Sequence, residues 1–368
     1  MKILLTVASL LPQYGGPARS VSKLALALVD AGVDVSIWAA DNSAMTTPFI
    51  PQAAALRRES GDLRQVIGES RKPDIVHDNG IWWAHNHRLA RLTARHHIPR
   101  VVSLRGALEP WARNHKRLKK DLAWWFYQRR DLQLARTHHA TSHAESCNLG
   151  RLGLSVPISV IPIGIDIPQR SSKIVNEQTE YGNKIALFLG RIYPVKGLPM
   201  LVQAWARVRP EGWRLLIAGP DEAGHRREVE AAIQAAKLDH AITFLGPLEG
   251  EEKETAFRDA ELFVLPSHSE NFGVAIAEAL AHGLPVLTTK STPWAAISEH
   301  GCGWWVDASV DGLARALRQA TLLELPTLRK MGEKGRSWVK ADFNWGHVAK
   351  EFVALYEDIL RDPVTGKR

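Results

Sequence analysis

The chain has 368 residues, 45% of them hydrophobic and 23% charged, and this length suggests two domains of ordinary size. With 20 Pro, 27 Gly, no low-complexity block and no apolar run of membrane-spanning length, the composition excludes disordered, fibrous and integral membrane proteins. The two cysteines, Cys147 and Cys302, exclude a disulfide framework and suit a reducing cytosol. The net charge of +8 lies in the first half, since residues 1–170 carry 23 Lys and Arg against 13 Asp and Glu.

The first forty residues predict a buried strand, a glycine turn, a helix and a second strand. An apolar segment at 3–11 leads into Tyr14-Gly15-Gly16-Pro17, an amphipathic helix ends near Gly32, and a strand follows at 33–38. This order is typical of a Rossmann-type opening. The charged start Met1-Lys2 before an apolar core also permits a short signal peptide, but we favour the strand.

Strands and helices continue to alternate along the chain. A polar stretch at 166–183 lacks periodicity and is predicted to be a linker, after which a second α/β series begins. The alternation predicts two Rossmann-like domains with parallel sheets facing a central cleft, over residues 1–168 and 169–342. Ligands of such sheets bind at the carboxyl ends of the strands.

The segment 263–280 joins a buried strand to an apolar helix through a polar loop. The strand ends at Pro266, Glu270 lies in the loop, and the helix begins near Gly273. Free amides and the positive end of the dipole make such a helix start an anion site. Glu278 lies two turns into the helix, where a buried carboxylate needs a partner. Alternatively, Glu278 points outward from a half-exposed helix.

Two cations, Arg191 and Lys196, follow the first strand of the second domain in a loop between Gly190 and Gly197. Five positions apart in a strand-to-helix loop, they suit a diphosphate. Taken alone, without Glu270 and Glu278, they would favour the alternative of two solvated surface cations.

Together these segments resemble the retaining glycosyltransferases of the GT-B fold, family 4, also called glycosyl transferases group 1. The resemblance covers about residues 184–305 and depends on the Glu270-x7-Glu278 element and the Arg191/Lys196 pair. Gly15-Gly16 resembles the glycine loop of the family's first domain. Phe343-Asn344-Trp345 resembles the start of a final helix, about 343–362, that crosses back to that domain.

The resemblance implies a nucleotide-sugar site that needs no metal. Arg191 and Lys196 would hold the diphosphate of a UDP- or GDP-linked sugar, Glu270 would face the sugar, and Glu278 would bind the ribose hydroxyls. Backbone groups near the sugar and phosphates would come from two glycine-containing segments: Gly15, Gly16, Asn271, Phe272, Gly273 and Val274. No Asp-x-Asp triplet occurs, so no metal cofactor is expected.

The fifteen histidines raise the question of a metal site. No third ligand stands at zinc-site spacing, so surface or hydrogen-bonded histidines are expected instead. His77 is a separate case, because it ends a predicted strand and is a candidate catalytic residue lining the cleft.

Arg105-Gly106 follows the strand 101–104, at the position where many members of the resembled family carry a histidine. Arginine does not accept a proton near neutral pH, so a general-base role is not carried over. We expect Arg105 to be a catalytic-site cation that holds leaving-group phosphate or acceptor oxygens. The alternative is a structural ion pair with Glu109.

Residues 111–131 combine seven Lys and Arg with four consecutive aromatics at 124–127. Such a helix is attracted to an anionic membrane surface, so residues 113–130 are a candidate for that contact. The alternative is a solvated basic face over an aromatic core stripe. No nucleic-acid-binding motif accompanies the charge, and no nucleic-acid partner is expected.

We therefore expect a cytoplasmic, metal-independent enzyme, peripheral at the inner face of the plasma membrane where the basic helix binds lipid. It would transfer a hexose-type sugar to a glycan or lipid-linked acceptor in cell-surface polysaccharide or lipopolysaccharide synthesis, with retention of configuration. The alternatives are a GT-B nucleotide-sugar epimerase or phosphorylase, and a non-catalytic basic protein that binds membrane or nucleic acid.

Overall fold

The computed structural model describes residues 1–68, 72–109, 117–169 and 184–362. The chain forms two compact units, of which unit 1 comprises Met1–Gly164 and Phe343–Arg368 and unit 2 comprises Ile165–Asp342. The chain thus leaves unit 1 after Gly164 and returns to it at Phe343. Most of the predicted linker, residues 170–183, lies outside the described residues.

Unit 1 is built on a parallel sheet of short, largely buried strands. They are β1 (Lys2–Val7), β2 (Asp34–Ala39), β3 (Arg57–Glu59), β4 (Ile75–Asn79), β5 (Arg100–Ser103), β6 (Thr137–Ala140) and β7 (Ile158–Val160). Their spatial order is β3-β2-β1-β4-β5-β6-β7. In β1, Leu4 lies between Ser36 of β2 and Val76 of β4, so the apolar N-terminal segment is the strand around which the sheet is wound.

Helices cover this sheet. They are α1 (Gly16–Asp30), α2 (Leu63–Val66), α3 (Ala84–Arg95), α4 (Arg117–Ala123), α5 (Arg129–Gln133), α6 (His143–Gly150) and, in the returning segment, the helix Trp345–Arg361. The returning helix shares one apolar core with α1, in which Leu24 and Leu28 pack with Phe352 and Tyr356. This packing ties the C-terminal segment to unit 1.

The helical part of the basic segment, residues 117–133, is interrupted. Between α4 and α5, residues Trp124–Gln128 form a π-helical turn, which widens the helix and shifts the side chains that follow. Trp125 and Phe126 are 79% and 80% exposed, whereas Gln128 is buried. The expectation of an aromatic core stripe is therefore wrong for Trp125 and Phe126.

Unit 2 repeats the architecture with a six-stranded parallel sheet. Its strands are β8 (Lys184–Leu189), β9 (Trp213–Ala218), β10 (Ile242–Gly246), β11 (Leu262–Leu265), β12 (Val286–Thr289) and β13 (Gly303–Val306). Their order is β10-β9-β8-β11-β12-β13. The helices are α7 (Leu198–Val208), α8 (Arg226–Ala235), α9 (Gly250–Asp259), α10 (Val274–Ala281), α11 (Ala296–Glu299), α12 (Val310–Leu322) and α13 (Leu325–Asp342), and the returning helix of unit 1 is α14.

Both sheets reverse their strand order once, between β1 and β4 in unit 1 and between β8 and β11 in unit 2. At such a switch point the loops after the two strands diverge and leave a crevice at the carboxyl edge, where ligands bind in this class of fold. The predicted fold class, two Rossmann-like α/β domains with parallel sheets, is confirmed. The residues to consider next are those that follow β1, β4, β5, β8 and β11.

Candidate functional site

In unit 2, the loop after β8 and the loop after β11 are held against each other. Gly197 has a φ of 70°, and a Cβ at this position would overlap the carbonyl oxygen of Pro266. Glycine is required here both for the left-handed backbone and for this close approach. The backbone N–H of His268 donates to the Val195 carbonyl at 2.7 Å, which links the two loops a second time.

This contact brings two predicted site residues together. Lys196 Nζ lies 2.5 Å from Glu270 Oε1, and both side chains are largely buried. Ser267 Oγ donates to the same carboxylate oxygen at 2.7 Å, while its own backbone carbonyl accepts a hydrogen bond from Thr289 Oγ1. Glu270 is thereby fixed between a cation and a hydroxyl at the carboxyl end of β11.

The helix α10 begins directly after this loop. Its N-cap is Gly273, with a φ of 81° and no side chain that could cap the helix. Phe272 is buried against Trp294, whose indole Nε1 donates to the Phe272 carbonyl. The stretch Asn271–Val274 therefore places an anchored, uncapped helix start beside Glu270.

Glu278 lies on the second turn of α10 and is partly buried. Its carboxylate is paired with Lys253 of α9, whose Nζ lies 2.7 Å from Oε1. The expectation that this carboxylate has a partner agrees with the structure, and the partner is a residue that the sequence reasoning did not identify. Lys253 is 25 positions away on another helix, and nothing in the local pattern marks it.

Arg191 is placed differently from Lys196. Its guanidinium is 58% exposed, pairs with Glu222 and lies over the ring of Tyr193. The two predicted diphosphate cations thus have separate carboxylate partners, and the exposure of Arg191 fits the alternative of a solvated surface cation.

In unit 1, Arg105 lies where β5 ends, at the same sheet edge as the glycine loop after β1. Its guanidinium donates to Asn79 Oδ1 from Nε at 3.2 Å and from Nη2 at 2.8 Å, and to Ser20 Oγ from Nη1 at 2.8 Å. Burial lowers the pKa of Arg105 to about 10, against the attraction of Glu145 and Tyr14, so the side chain is still a cation at neutral pH. Glu109 accepts from Asn148 instead, so the alternative ion pair with Arg105 is not formed.

Gly15 and Gly16 lie at the start of α1, as the sequence predicted. Gly15 is the N-cap, with a φ of 77° and no side chain to cap the helix. A Cβ built on either glycine meets no described atom within 4 Å, so these two glycines border open space. Tyr14, just before these glycines, has its pKa raised by burial, and the hydrogen bond to Trp83 and the charge of Arg105 oppose that shift.

The expectation that His77 lines an open site is wrong. Its side chain is fully buried, Nδ1 lies 2.6 Å from Tyr356 Oη, and Nε2 lies 2.6 Å from Ser103 Oγ. Burial, together with His139 and Arg105, holds the pKa of His77 well below its usual range. Successive side chains of a strand point to opposite faces of the sheet. The sequence alone did not reveal that the side chain of His77 points into the core.

Within the described part of the chain, no three His, Cys, Asp or Glu side chains come together in a way that could hold a metal ion. Over the same residues, no helix is both long enough and apolar enough to cross a bilayer.

Two family models match the chain, one on each unit. The model for glycosyl transferases group 1 matches residues 170–338, and the model for a glycosyl transferase 4-like domain matches residues 15–164. The D-inositol 3-phosphate glycosyltransferase of Mycolicibacterium smegmatis is 29% identical over 192 residues, which cover 49% of this chain and 41% of that protein. The chain thus matches less than half the length of this relative.

Solved structures resemble the whole chain. Sucrose-phosphate synthase from Thermosynechococcus elongatus superposes with a TM-score of 0.78 at 22% identity, covering 98% of this chain and 99% of that one. Anabaena Alr3699/HepE in complex with UDP and glucose gives 0.75 at 20% identity, covering 97% and 100%. The fold and the two family matches agree, and the chain belongs to the GT-B glycosyltransferases of family 4, glycosyl transferases group 1.

Proposed function

We propose that the protein transfers a hexose-type sugar from a nucleotide-diphospho-sugar to a glycan or lipid-linked acceptor, with retention of configuration and without a metal. The donor would bind at the switch point of unit 2. A nucleotide-sugar donor is supported by the solved relative named above, which holds UDP and glucose. Retention is inferred from the family.

The observation that carries the proposal is the contact of Lys196 with Glu270 beside the uncapped start of α10. A diphosphate offers more negative charge than one carboxylate, so it would compete with Glu270 for the Lys196 ammonium. The amides of α10 would bind the same phosphates. Glu270 would then be released toward the sugar, still oriented by Ser267.

This arrangement supports loss of the nucleoside diphosphate. As the bond between the sugar and the phosphate breaks, negative charge grows on the leaving oxygen, and a fixed ammonium and helix amides stabilise it. Arg191 is exposed enough to turn from Glu222 toward a second phosphate. Because protein cations supply this charge, we propose that turnover needs no divalent ion.

Glu278 would accept hydrogen bonds from the two ribose hydroxyls of the donor. Only one of its oxygens is bonded to Lys253 among the described residues, and a carboxylate can accept several hydrogen bonds at once. The Lys253 ammonium would keep the carboxylate in place and charged.

We also propose that unit 1 meets an anionic membrane surface, where a lipid-linked acceptor of polysaccharide or lipopolysaccharide synthesis would be found. The described part of the basic segment carries a stripe of exposed apolar side chains at helical spacing: Leu118, Leu122, Trp125 and Phe126. Exposed Lys119, Arg129 and Arg130 lie among them. An apolar face flanked by cations is complementary to anionic lipid headgroups over acyl chains.

The test is release of nucleoside diphosphate from a panel of UDP- and GDP-linked sugars, with glycan and lipid-linked acceptors and with excess EDTA. We expect one donor to be consumed only with acceptor, and an NMR coupling constant of the product to show the donor's anomeric configuration. A Glu270→Gln variant should lose this turnover. Epimerisation of a donor without acceptor, inversion, or activity that needs added Mg²⁺ or Mn²⁺ would each contradict a separate part of the proposal.

A further inference from the structure

The guanidinium of Arg105 is a fixed cation whose described hydrogen-bond partners are all neutral. Its three hydrogen bonds end on the amide oxygen of Asn79 and the hydroxyl of Ser20. Asn79 is buried, and its Nδ2 donates to the His77 carbonyl, so the amide oxygen must face the guanidinium. A guanidinium has five N–H donors, and these partners use three of them.

The backbone that carries Arg105 is strained and clamped. Arg105 has a φ of 50°, a left-handed conformation that is unfavourable for a non-glycine residue, and Gly106 follows with a φ of 73°. The Gly106 N–H donates to Glu145 Oε1 at 2.7 Å, while Glu145 Oε2 accepts from the backbone and hydroxyl of Thr141. The nearby carboxylate of Glu145 thus fixes the turn and forms no hydrogen bond with the guanidinium.

The start of α1 adds to the positive potential at this edge. Ser20 Oγ, which accepts from Arg105, donates to the Gly16 carbonyl at 2.9 Å, so one residue links the guanidinium to the start of the helix. The helix has no side-chain cap at Gly15, and Gly15 and Gly16 border open space. The amino end of a helix of this length carries a partial positive charge.

We propose that Arg105, held by Asn79 of β4 and by Ser20 near the start of α1, is an oxyanion site that binds a phosphate or carboxylate group of a transfer substrate. Planar, two-donor recognition of such groups is the chemistry for which a rigid guanidinium is suited. The statement that the anion belongs to a transfer substrate rests on the proposed function, whereas the anion site does not. The two sources of the anion are the donor diphosphate and an acidic group on the acceptor.

The experiment is a calorimetric titration of inorganic phosphate into the full-length protein at constant ionic strength, with and without saturating UDP or GDP. Arg105→Gln keeps a polar side chain without the charge, and Arg105→Lys keeps the charge without the fork. We expect Arg105→Gln to weaken phosphate binding roughly tenfold or more, as loss of a charge-assisted hydrogen bond does, with Arg105→Lys in between. The matched control is Arg91→Gln, which removes one exposed cation from α3 and should leave the affinity unchanged.

Circular dichroism and the melting temperature without phosphate verify that each variant is folded. Should Arg105→Gln fail to fold, Arg105→Lys carries the comparison, because it retains the charge. Phosphate affinities of both folded variants equal to that of the parent would overturn the proposal, as would an equal loss in Arg91→Gln.

The nucleoside diphosphate arm identifies the source. If the anion is the donor diphosphate, UDP or GDP displaces phosphate and binds Arg105→Gln more weakly by a similar factor. If it belongs to the acceptor, phosphate still binds to the nucleotide-saturated protein, and nucleotide affinity does not depend on Arg105. Either result supports the site. Absence of any nucleotide binding, with Arg105-dependent phosphate binding intact, would count against the proposed function alone.

Discussion

Tyr356 of α14 donates its hydroxyl to Nδ1 of His77 in β4, across 2.6 Å of buried core. The direction of this bond follows from the far end of a chain of hydrogen bonds. The Ile161 carbonyl can only accept, so His139 Nε2 carries a proton, and neutral His139 accepts at Nδ1 from Ser103 Oγ. Ser103 must then accept from His77 Nε2, which leaves Nδ1 to accept from Tyr356.

This chain predicts an acid-sensitive fold. Burial lowers the pKa of His139 to about 4 and that of His77 well below its usual range, whereas both titrate near 6.5 when unfolded. Above pH 6.5 both histidines are neutral in the folded and in the unfolded state. Between pH 6.5 and pH 4 they bind protons only in the unfolded state. The free energy of unfolding should therefore fall as the pH falls through that window, by on the order of 3 kcal/mol for His139 by pH 4.

The measurement is denaturant unfolding at pH 7.5 and pH 5 of the parent, His139→Gln and Tyr356→Phe. His139→Gln removes one titrating group and should reduce the difference between the two pH values. Tyr356→Phe is the control, because it breaks the same chain without removing a group that titrates there, and it should lower stability by about 1–2 kcal/mol at both pH values. If the difference in unfolding free energy between pH 7.5 and pH 5 is the same in His139→Gln as in the parent, His139 is not a source of the acid sensitivity.

A second prediction concerns Glu278 and its partner Lys253. Glu278→Gln should weaken binding of the nucleoside diphosphate about tenfold or more, because the charged acceptor for the ribose hydroxyls is lost. Lys253→Met should weaken it less, and the double variant should bind no worse than Glu278→Gln, since Lys253 acts through the carboxylate. Calorimetry measures all three affinities.

The matched control for this pair is Arg207→Met, which breaks an exposed ion pair with Asp311 between α7 and α12 of unit 2. Its affinity should equal that of the parent. Additive losses in the double variant would mean that Lys253 touches the nucleotide itself. An unchanged affinity in Glu278→Gln would return Glu278 to an ordinary helix-surface residue.

A third prediction concerns Gly164, the last residue of unit 1 before the first crossing. A Cβ at this position would overlap the indole of Trp345, at the start of α14. Gly164→Ala should therefore destabilise unit 1 by about 1–3 kcal/mol, the usual cost of overpacking. In Gly164→Ala/Trp345→Ala the overlap is absent, so the two losses should not add. If thermal unfolding shows that the stability losses of Gly164→Ala and Trp345→Ala add in the double variant, the overlap with Trp345 is not the cause, and Gly164→Ala acts through the backbone of residue 164.

The sequence was sufficient for the fold because its signals were local. Buried strands followed by glycine turns and amphipathic helices recur in both units, and the strand-loop-helix pattern around Glu270 identified one edge of the unit 2 sheet. Only the family resemblance placed Lys196 beside the loop that carries Glu270. Their contact depends on the packing of Gly197 against Pro266, which lies in another loop.

The parts that the sequence did not supply are all set by tertiary contacts. Lys253 reaches Glu278 from a separate helix, and Asn79 and Ser20 reach Arg105 from two other elements. His77 was assigned to an open site because it ends a strand, but the return of α14 places Tyr356 against it. The π-helical turn at Trp124–Gln128 follows from no local pattern that we recognised, and it decides which aromatics are exposed.

That exposure gives the last prediction. Binding to vesicles with anionic headgroups should fall when the apolar residues are replaced in Trp125→Ser/Phe126→Ser, and also when charge is reversed in Lys119→Glu/Arg129→Glu. The two variants should differ in their response to salt. The charge variant loses the screened, long-range part of the attraction, worth about 1 kcal/mol per cation, whereas the apolar variant loses insertion and should keep the salt dependence of the parent.

Two matched controls lie in unit 2. Leu322 is 78% exposed on α12, so Leu322→Ser removes an apolar side chain of similar exposure, and Lys330→Glu reverses an exposed charge on α13. Neither should change vesicle binding. An apolar stripe of this kind could instead bind a second copy of the chain. Analytical sedimentation, which measures the oligomeric state, distinguishes this dimer from membrane binding. The membrane proposal is wrong if two results are found together. The first is a concentration-dependent dimer of the parent that Trp125→Ser/Phe126→Ser converts to a monomer. The second is equal partitioning of the parent onto neutral and anionic vesicles, and the stripe is then a contact between protein molecules.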